Sequence, residues 1–171
     1  MAKLSTVKVN LKLPLIGSIE GTWEPDENER RAAWELYVEL ITRVSIARED
    51  PTEGTLREAL SSLYTLFDTT RKILREYGPS VAQPKGGSGL SFGYLAVAIL
   101  NSVLRPFLSK WHVLLLDFEA TRAPGTSTVE HEKNWGNNQD LRNEMLVDVR
   151  QPLLQYANLL AEVAGVPPLV S

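Results

Sequence analysis

The chain has no cysteine and only two histidines and two methionines in 171 residues. Without cysteine there is no disulfide, no thiolate nucleophile and no cysteine-ligated metal, a usage that suits a cytoplasmic protein. There is no basic excess either: 18 Lys and Arg stand against 21 Asp and Glu, a net charge of −3. Phosphate-driven binding needs the opposite sign, so nucleic acid is not an expected partner. Long hydrophobic runs are also missing. The most apolar stretch, Leu90 to Leu104, is interrupted by Ser91, Asn101 and Ser102 and stops at Arg105-Pro106. That falls short of the ~20 apolar residues needed to cross a bilayer, so it reads as a buried helix and no membrane partner is expected. The amino terminus, Met1 to Gly17, is too polar for a signal peptide, because Lys8, Asn10 and Lys12 break every apolar step.

What is present describes a folded, mainly α protein. Hydrophobic residues make up 43% and charged residues 23%, which argues against disorder. The length fits one domain over residues 1–171, divided into a hairpin (1–23), a four-helix bundle (25–164) and a tail (165–171). Val7, Val9, Leu11, Leu13 and Leu15 alternate with Lys8, Asn10, Lys12 and Pro14, the period of a half-buried strand. Gly17-Ser18 supplies a turn, and Ile19, Gly21 and Trp23 form the returning strand. A lone hairpin is marginal in water, so it must lie on the helices or pair with another strand.

Pro25 with Asp26, Glu27 and Glu29 starts a first helix expected to run to Ala47 along Ala33, Tyr37, Leu40, Val44 and Ala47, before Glu49-Asp50-Pro51 ends it. The second helix carries Leu56, Leu60, Leu63, Phe67, Leu74 and Tyr77 four and three apart, interrupted only at Thr70. This a/d spacing belongs to a helix packed lengthwise against others. Thr55-Leu-Arg-Glu58 is its capping box and Gly78-Pro79 its stop. Helices three (Ser91 to Thr121) and four (Asn138 to Ala164) each contain a proline, Pro106 and Pro152, where a kink or break is expected. The resulting fold is an antiparallel four-helix bundle with proline-kinked third and fourth helices and an N-terminal β-hairpin.

No catalytic signature emerges. His131, in the loop of roughly fifteen residues between the last two helices, lacks a second histidine four residues on, where Trp135 stands. His112 could pair with a carboxylate such as Asp148 across the bundle. Asp140, Glu144 and Asp148 share one helical face and could hold a divalent cation; a solvated acidic face accounts for them as well. The run Lys85-Gly86-Gly87-Ser88-Gly89 lacks Walker spacing and reads as a flexible linker. Arg71, Lys72, Arg75 and Lys85 complement the negative end of the second helix. Trp34, Phe92, Tyr94, Phe107, Trp111 and Phe118 read as core. No catalytic or metal residue is assigned and no cofactor is called for.

Three segments carry a resemblance: Thr22 to Asp26, Asn101 to His112, and Ala157 to Pro167. Together they resemble uncharacterised bacterial helical-bundle proteins associated with multi-gene immune or conflict loci. The resemblance implies an accessory or adaptor subunit working beside a larger effector. From the residues themselves, the leading expectation is a noncatalytic interaction module that self-associates or docks a protein through the adjacent bundle face and the hairpin, whose outer edge could accept a partner's strand: Val7, Val9, Leu11, Leu13, Leu15, Ile19 and Trp23. The alternatives are a metal-dependent hydrolase using Asp140, Glu144, Asp148 and His112 or His131, and a sensor admitting a small molecule between the two proline-bearing helices.

Overall fold

A computed structural model describes residues 6–43 and 54–169. The expected stripe positions Val44 and Ala47 and the stop at Glu49-Asp50-Pro51 lie outside the described residues. Among the described residues the chain is mainly helical, with an N-terminal antiparallel hairpin of two strands and five helices.

Strand β1 (Val7–Leu13) pairs with β2 (Gly17–Trp23) from Val7↔Trp23 to Leu13↔Gly17. Alternation places Val7, Val9, Leu11, Leu13, Ile19 and Trp23 on one face, and all six are buried. The turn falls earlier than the Gly17-Ser18 position expected from sequence. Pro14 to Ile16 form it, and Gly17 already opens β2. Leu15 therefore leaves the strand row and sits at the tip.

Helix α1 (Glu27–Ile41) starts with a complete capping box: the Glu29 N–H donates to Asp26 and the Asp26 N–H donates to the Glu29 carboxylate. Helix α2 (Leu56–Tyr77) starts at Thr55, whose hydroxyl accepts the Glu58 N–H, and ends where Gly78 takes φ +72°. Its buried line differs from the expected seam. Leu56, Leu60, Leu63, Leu66, Thr70 and Ile73 face the core, while Phe67, Leu74 and Tyr77 are only half-buried. Thr70 is thus a core position, tolerated because its hydroxyl donates to the Leu66 carbonyl at 2.7 Å.

Helix α3 (Phe92–Glu119) runs unbroken through Pro106, and α5 (residues 138–164) runs unbroken through Pro152. Each inserts a π turn just before its proline, at Leu100–Leu104 and at Met145–Arg150. In both, the residue preceding the proline donates its N–H five residues back, Arg105 to Leu100 and Gln151 to Leu146. The widened turn accommodates a ring that cannot donate and would crowd a regular turn, so neither helix breaks. The long loop holds a further helix, α4 (Thr128–Lys133), capped by the Ser127 hydroxyl.

Helix α1 packs on α5 and α2, α2 packs on α3, the π turns of α3 and α5 meet, and β1 lies on α5. One continuous apolar cluster joins the hairpin to the helices. Among the described residues one helix, Phe92–Glu119, is long and apolar enough to cross a membrane, and 61% of its most apolar window is buried inside the chain.

Candidate functional site

Two buried carboxylates organise the helix starts. Glu29 is fully buried, and its two oxygens receive four donors: Trp23 Nε1–H at 2.9 Å, the Phe92 N–H at 2.8 Å, the Asp26 N–H at 3.1 Å and the Lys85 ammonium at 3.1 Å. It therefore clasps β2, the first turns of α1 and α3, and the segment between α2 and α3. A carboxylate at two positive helix ends is well placed electrostatically. Lys85 also reaches Asp26 at 3.2 Å and the carbonyls of Ser80 and Gln83. Burial alone would lower the Lys85 ammonium, but the hydrogen bonds from Glu29 and Asp26 outweigh it and hold it above the ordinary lysine value. The glycine-rich run is consequently a fixed part of the fold and not a loose linker. Ser88 lies so close to β2 that a Cβ at Gly21 (φ +156°) would stand 2.7 Å from it. The anion site that an N-terminal α3 turn offers is filled by the chain's own Glu29.

Glu132, on α4, does the same for α2. It is buried and accepts the Leu56 N–H at 2.7 Å and the Arg57 N–H at 3.4 Å. Next to it Arg57 forms a two-pronged pair with Glu119 (2.7 and 3.0 Å). Arg57 Nη1 donates to His112 Nδ1 at 3.1 Å, so His112 faces a guanidinium and not Asp148. His131 stacks on Phe118 with centroids 4.0 Å apart and donates from Nε2 to the Phe118 carbonyl at 2.8 Å. Trp135 also stacks on Phe118, with centroids 5.3 Å apart.

The five polar candidates are thus dispersed. Glu144 is held by Lys110 at 2.9 Å and by the Trp111 indole N–H. Asp140 and Asp148 are exposed. Among the described residues no three His, Cys, Asp or Glu side chains group as metal ligands. Of the six aromatics read as core, Phe92, Phe107 and Trp111 are buried, Phe118 is half-buried, and Trp34 and Tyr94 are exposed.

One region with exposed apolar surface is the hairpin turn. The Ile16 N–H donates to the Pro14 carbonyl at 2.8 Å, and Leu15 between them has φ +71°. This is a three-residue γ-turn of the rare, strained hand. A branched side chain there costs about 1–2 kcal/mol over a glycine, yet Leu15 is 78% exposed and Ile16 50%. Two clefts flank the turn. One of about 190 Å³ is bounded by Leu15, Ser102, Pro106, Phe107, Lys110 and Asp148. The other, of about 420 Å³, is bounded by Lys12, Pro14, Ser18, Val147, Asp148 and Gln155. Both π turns contribute walls, and Val147, 55% exposed, adds a third outward apolar side chain. Alternation places Leu15 in the apolar row of the strand and among the docking candidates; Pro14 just before it and Gly17 two residues after are the available signals for an earlier turn. The rest of that row, Val7, Val9, Leu11, Leu13, Ile19 and Trp23, is covered by the chain's own helices.

No protein-family model matches the chain, and searches of curated proteins and of solved structures return none that is similar to it.

Proposed function

We propose that the chain is a noncatalytic protein-interaction module, built as an antiparallel four-helix bundle, that docks a protein partner through the turn of its hairpin and the adjoining π turns of α3 and α5. The observation that carries this reading is Leu15: a large apolar side chain held in solvent on a strained backbone. Stability favours glycine or asparagine at such a position, so keeping leucine there makes sense as an anchor for a surface that is absent in the isolated chain. Ile16 and Val147 widen the apolar centre, and Lys12, Lys110, Glu144 and Asp148 supply a polar rim, the layout of a docking patch. The accessory or adaptor role implied by the sequence resemblance is compatible with such a module.

Removing the hairpin altogether is a poor test, because its inner face belongs to the core. A cleaner one places a photo-crosslinking amino acid at position 15 and, as a control, at exposed Asp68 on α2. Irradiation in the source cell should give a discrete adduct from position 15 that excess unlabelled chain competes away, and none from position 68. Equal labelling from both positions, or no adduct from position 15, overturns the reading.

A further inference from the structure

Each outer edge of the hairpin is closed at one end and open along the rest. In an antiparallel pair the residues that do not exchange hydrogen bonds with each other point both main-chain groups outward, every second residue. The Lys12 N–H donates to Gln155 and the Thr22 N–H donates to Ser88, which sets the phase: Lys8, Asn10 and Lys12 face outward on β1, and Ser18, Glu20 and Thr22 on β2. The β2 edge is closed at Thr22 by Ser88 Oγ at 2.9 Å, with the Glu24 N–H beyond it meeting the Lys85 carbonyl, while the outward main-chain groups of Ser18 and Glu20 have no partner among the described residues and these two residues present no cation. On β1, Gln155 closes the end nearest the turn. Among the described residues nothing bonds the outward main-chain groups of Lys8 and Asn10, both of which are exposed.

We propose that this open stretch of β1 receives an extended segment of another protein as a third strand, and that the segment carries acidic residues four apart, the first opposite Lys8 and the second, just past the paired stretch, facing the Lys12 ammonium. The inference rests on reading the chain as an interaction module and names the partner's chemistry. Main-chain bonds to Lys8 and Asn10 supply affinity without sequence demands, and the side chains on the outer face supply selectivity. That face presents Lys8, Asn10 and Lys12 on the strand next to the newcomer; the single nearby carboxylate, Glu20, lies one strand further away, opposite Asn10. Two lysines four residues apart on one strand face are separated by about 13 Å, so matching carboxylates need the same spacing.

The same charges exclude a second copy of this chain. An antiparallel β1–β1 pair using Lys8 and Asn10 has three registers, in which Lys8 meets Lys8, Asn10 or Lys12 of the second copy. Each brings Lys8 directly opposite or diagonal to a lysine, an unfavourable cross-strand pair.

The test selects displayed random ten-residue peptides against the full chain and measures the enriched ones by calorimetry. The expected peptides are rich in β-branched residues and have Asp or Glu four apart. Asn10→Pro removes only an outward N–H and should weaken binding about tenfold. The paired change Lys8→Glu with Lys12→Glu leaves the backbone and the core untouched and should switch the preference to basic peptides. N-methylation of alternate peptide amides should abolish binding. Failure to enrich any peptide, enrichment without acidic residues, or affinity indifferent to the lysine reversal overturns the inference. Light scattering of the intact chain should show no β1-mediated dimer; a dimer dispersed by Asn10→Pro also overturns it. Because position 15 takes no part in these readouts, failure here leaves docking at the turn standing, and loss of the crosslink at position 15 leaves the edge standing.

Discussion

Replacing Glu29 with alanine is the sharpest test of how the fold is held. The carboxylate is fully buried and receives Trp23 Nε1–H, the Phe92 N–H, the Asp26 N–H and Lys85. After Glu29→Ala, Lys85 keeps Asp26 and two carbonyls, so its loss is small. The Trp23 indole and the Phe92 amide have no such reserve. Each stranded buried donor costs about 1–3 kcal/mol, which puts the variant about 4 kcal/mol below the parent. That is a large part of the 5–15 kcal/mol typical of a domain. Glu29→Gln keeps an oxygen for Trp23 and Phe92 but turns an amide N–H₂ toward the Asp26 N–H and the Lys85 ammonium, a loss of about 2 kcal/mol. Pairing it with Lys85→Met removes one of the two facing donors, so the double variant should lie at least about 1 kcal/mol above the sum of the singles. Urea melts followed by circular dichroism measure the parent and all four variants. A Glu29→Ala loss under 1 kcal/mol, or strict additivity of the pair, refutes the clasp.

Further outcomes follow from other sites. Leu15→Gly should be more stable than Leu15→Ala by about 1 kcal/mol, the reverse of the usual order, because only glycine relaxes φ +71°; thermal melts that rank alanine first contradict the γ-turn. Glu132→Ala strands one strongly bonded N–H, that of Leu56, and should cost about 2 kcal/mol, less than Glu29→Ala, in the same urea assay. Burial pushes the Tyr77 phenol up to about 12, helped by the Glu35 carboxylate that accepts its proton at 2.8 Å. Its folded value exceeds the unfolded value of 10.0, so the stability it brings is complete below pH 10 and is lost as pH rises towards 12. Glu35→Gln should move the Tyr77 titration, followed by ring-carbon NMR, back toward 10.

The parts of the fold legible in the sequence are those governed by neighbours along the chain. Strand alternation from Val7 to Leu13, the caps at Thr55 and Gly78, and the extents of the last two long helices follow from period and end chemistry. The misread features depend on distant residues. Thr70 looked like a break in a seam because only the fold reveals that α2 turns its Leu66–Ile73 line inward. Glu29 and Glu132 looked like ordinary charges of a first turn and a loop; their partners lie on other elements. Pro106 and Pro152 predict distortion, but whether the chain breaks or inserts a π turn depends on what packs beside them. Of the candidate site, alternation picks out the hairpin, Leu15 included, but not that Val7, Val9, Leu11, Leu13, Ile19 and Trp23 are covered, because period reveals which residues share a face and not what already covers it.

The clasps also bear on time. Glu29 reaches Phe92 across 63 positions and Glu132 reaches Leu56 across 76, whereas the helices they cap can nucleate from local contacts alone. Bonds of such sequence separation close after most of the chain has already been ordered. Interactions absent from the folding transition state change how fast a protein comes apart and leave its rate of formation nearly untouched. Such bonds should act on the lifetime of the native chain: stopped-flow measurements on Glu132→Ala, which removes the Leu56 bond, should show faster unfolding with an unchanged refolding limb. On the docking reading proposed above, such a slow clock keeps the surface around Leu15 intact between encounters.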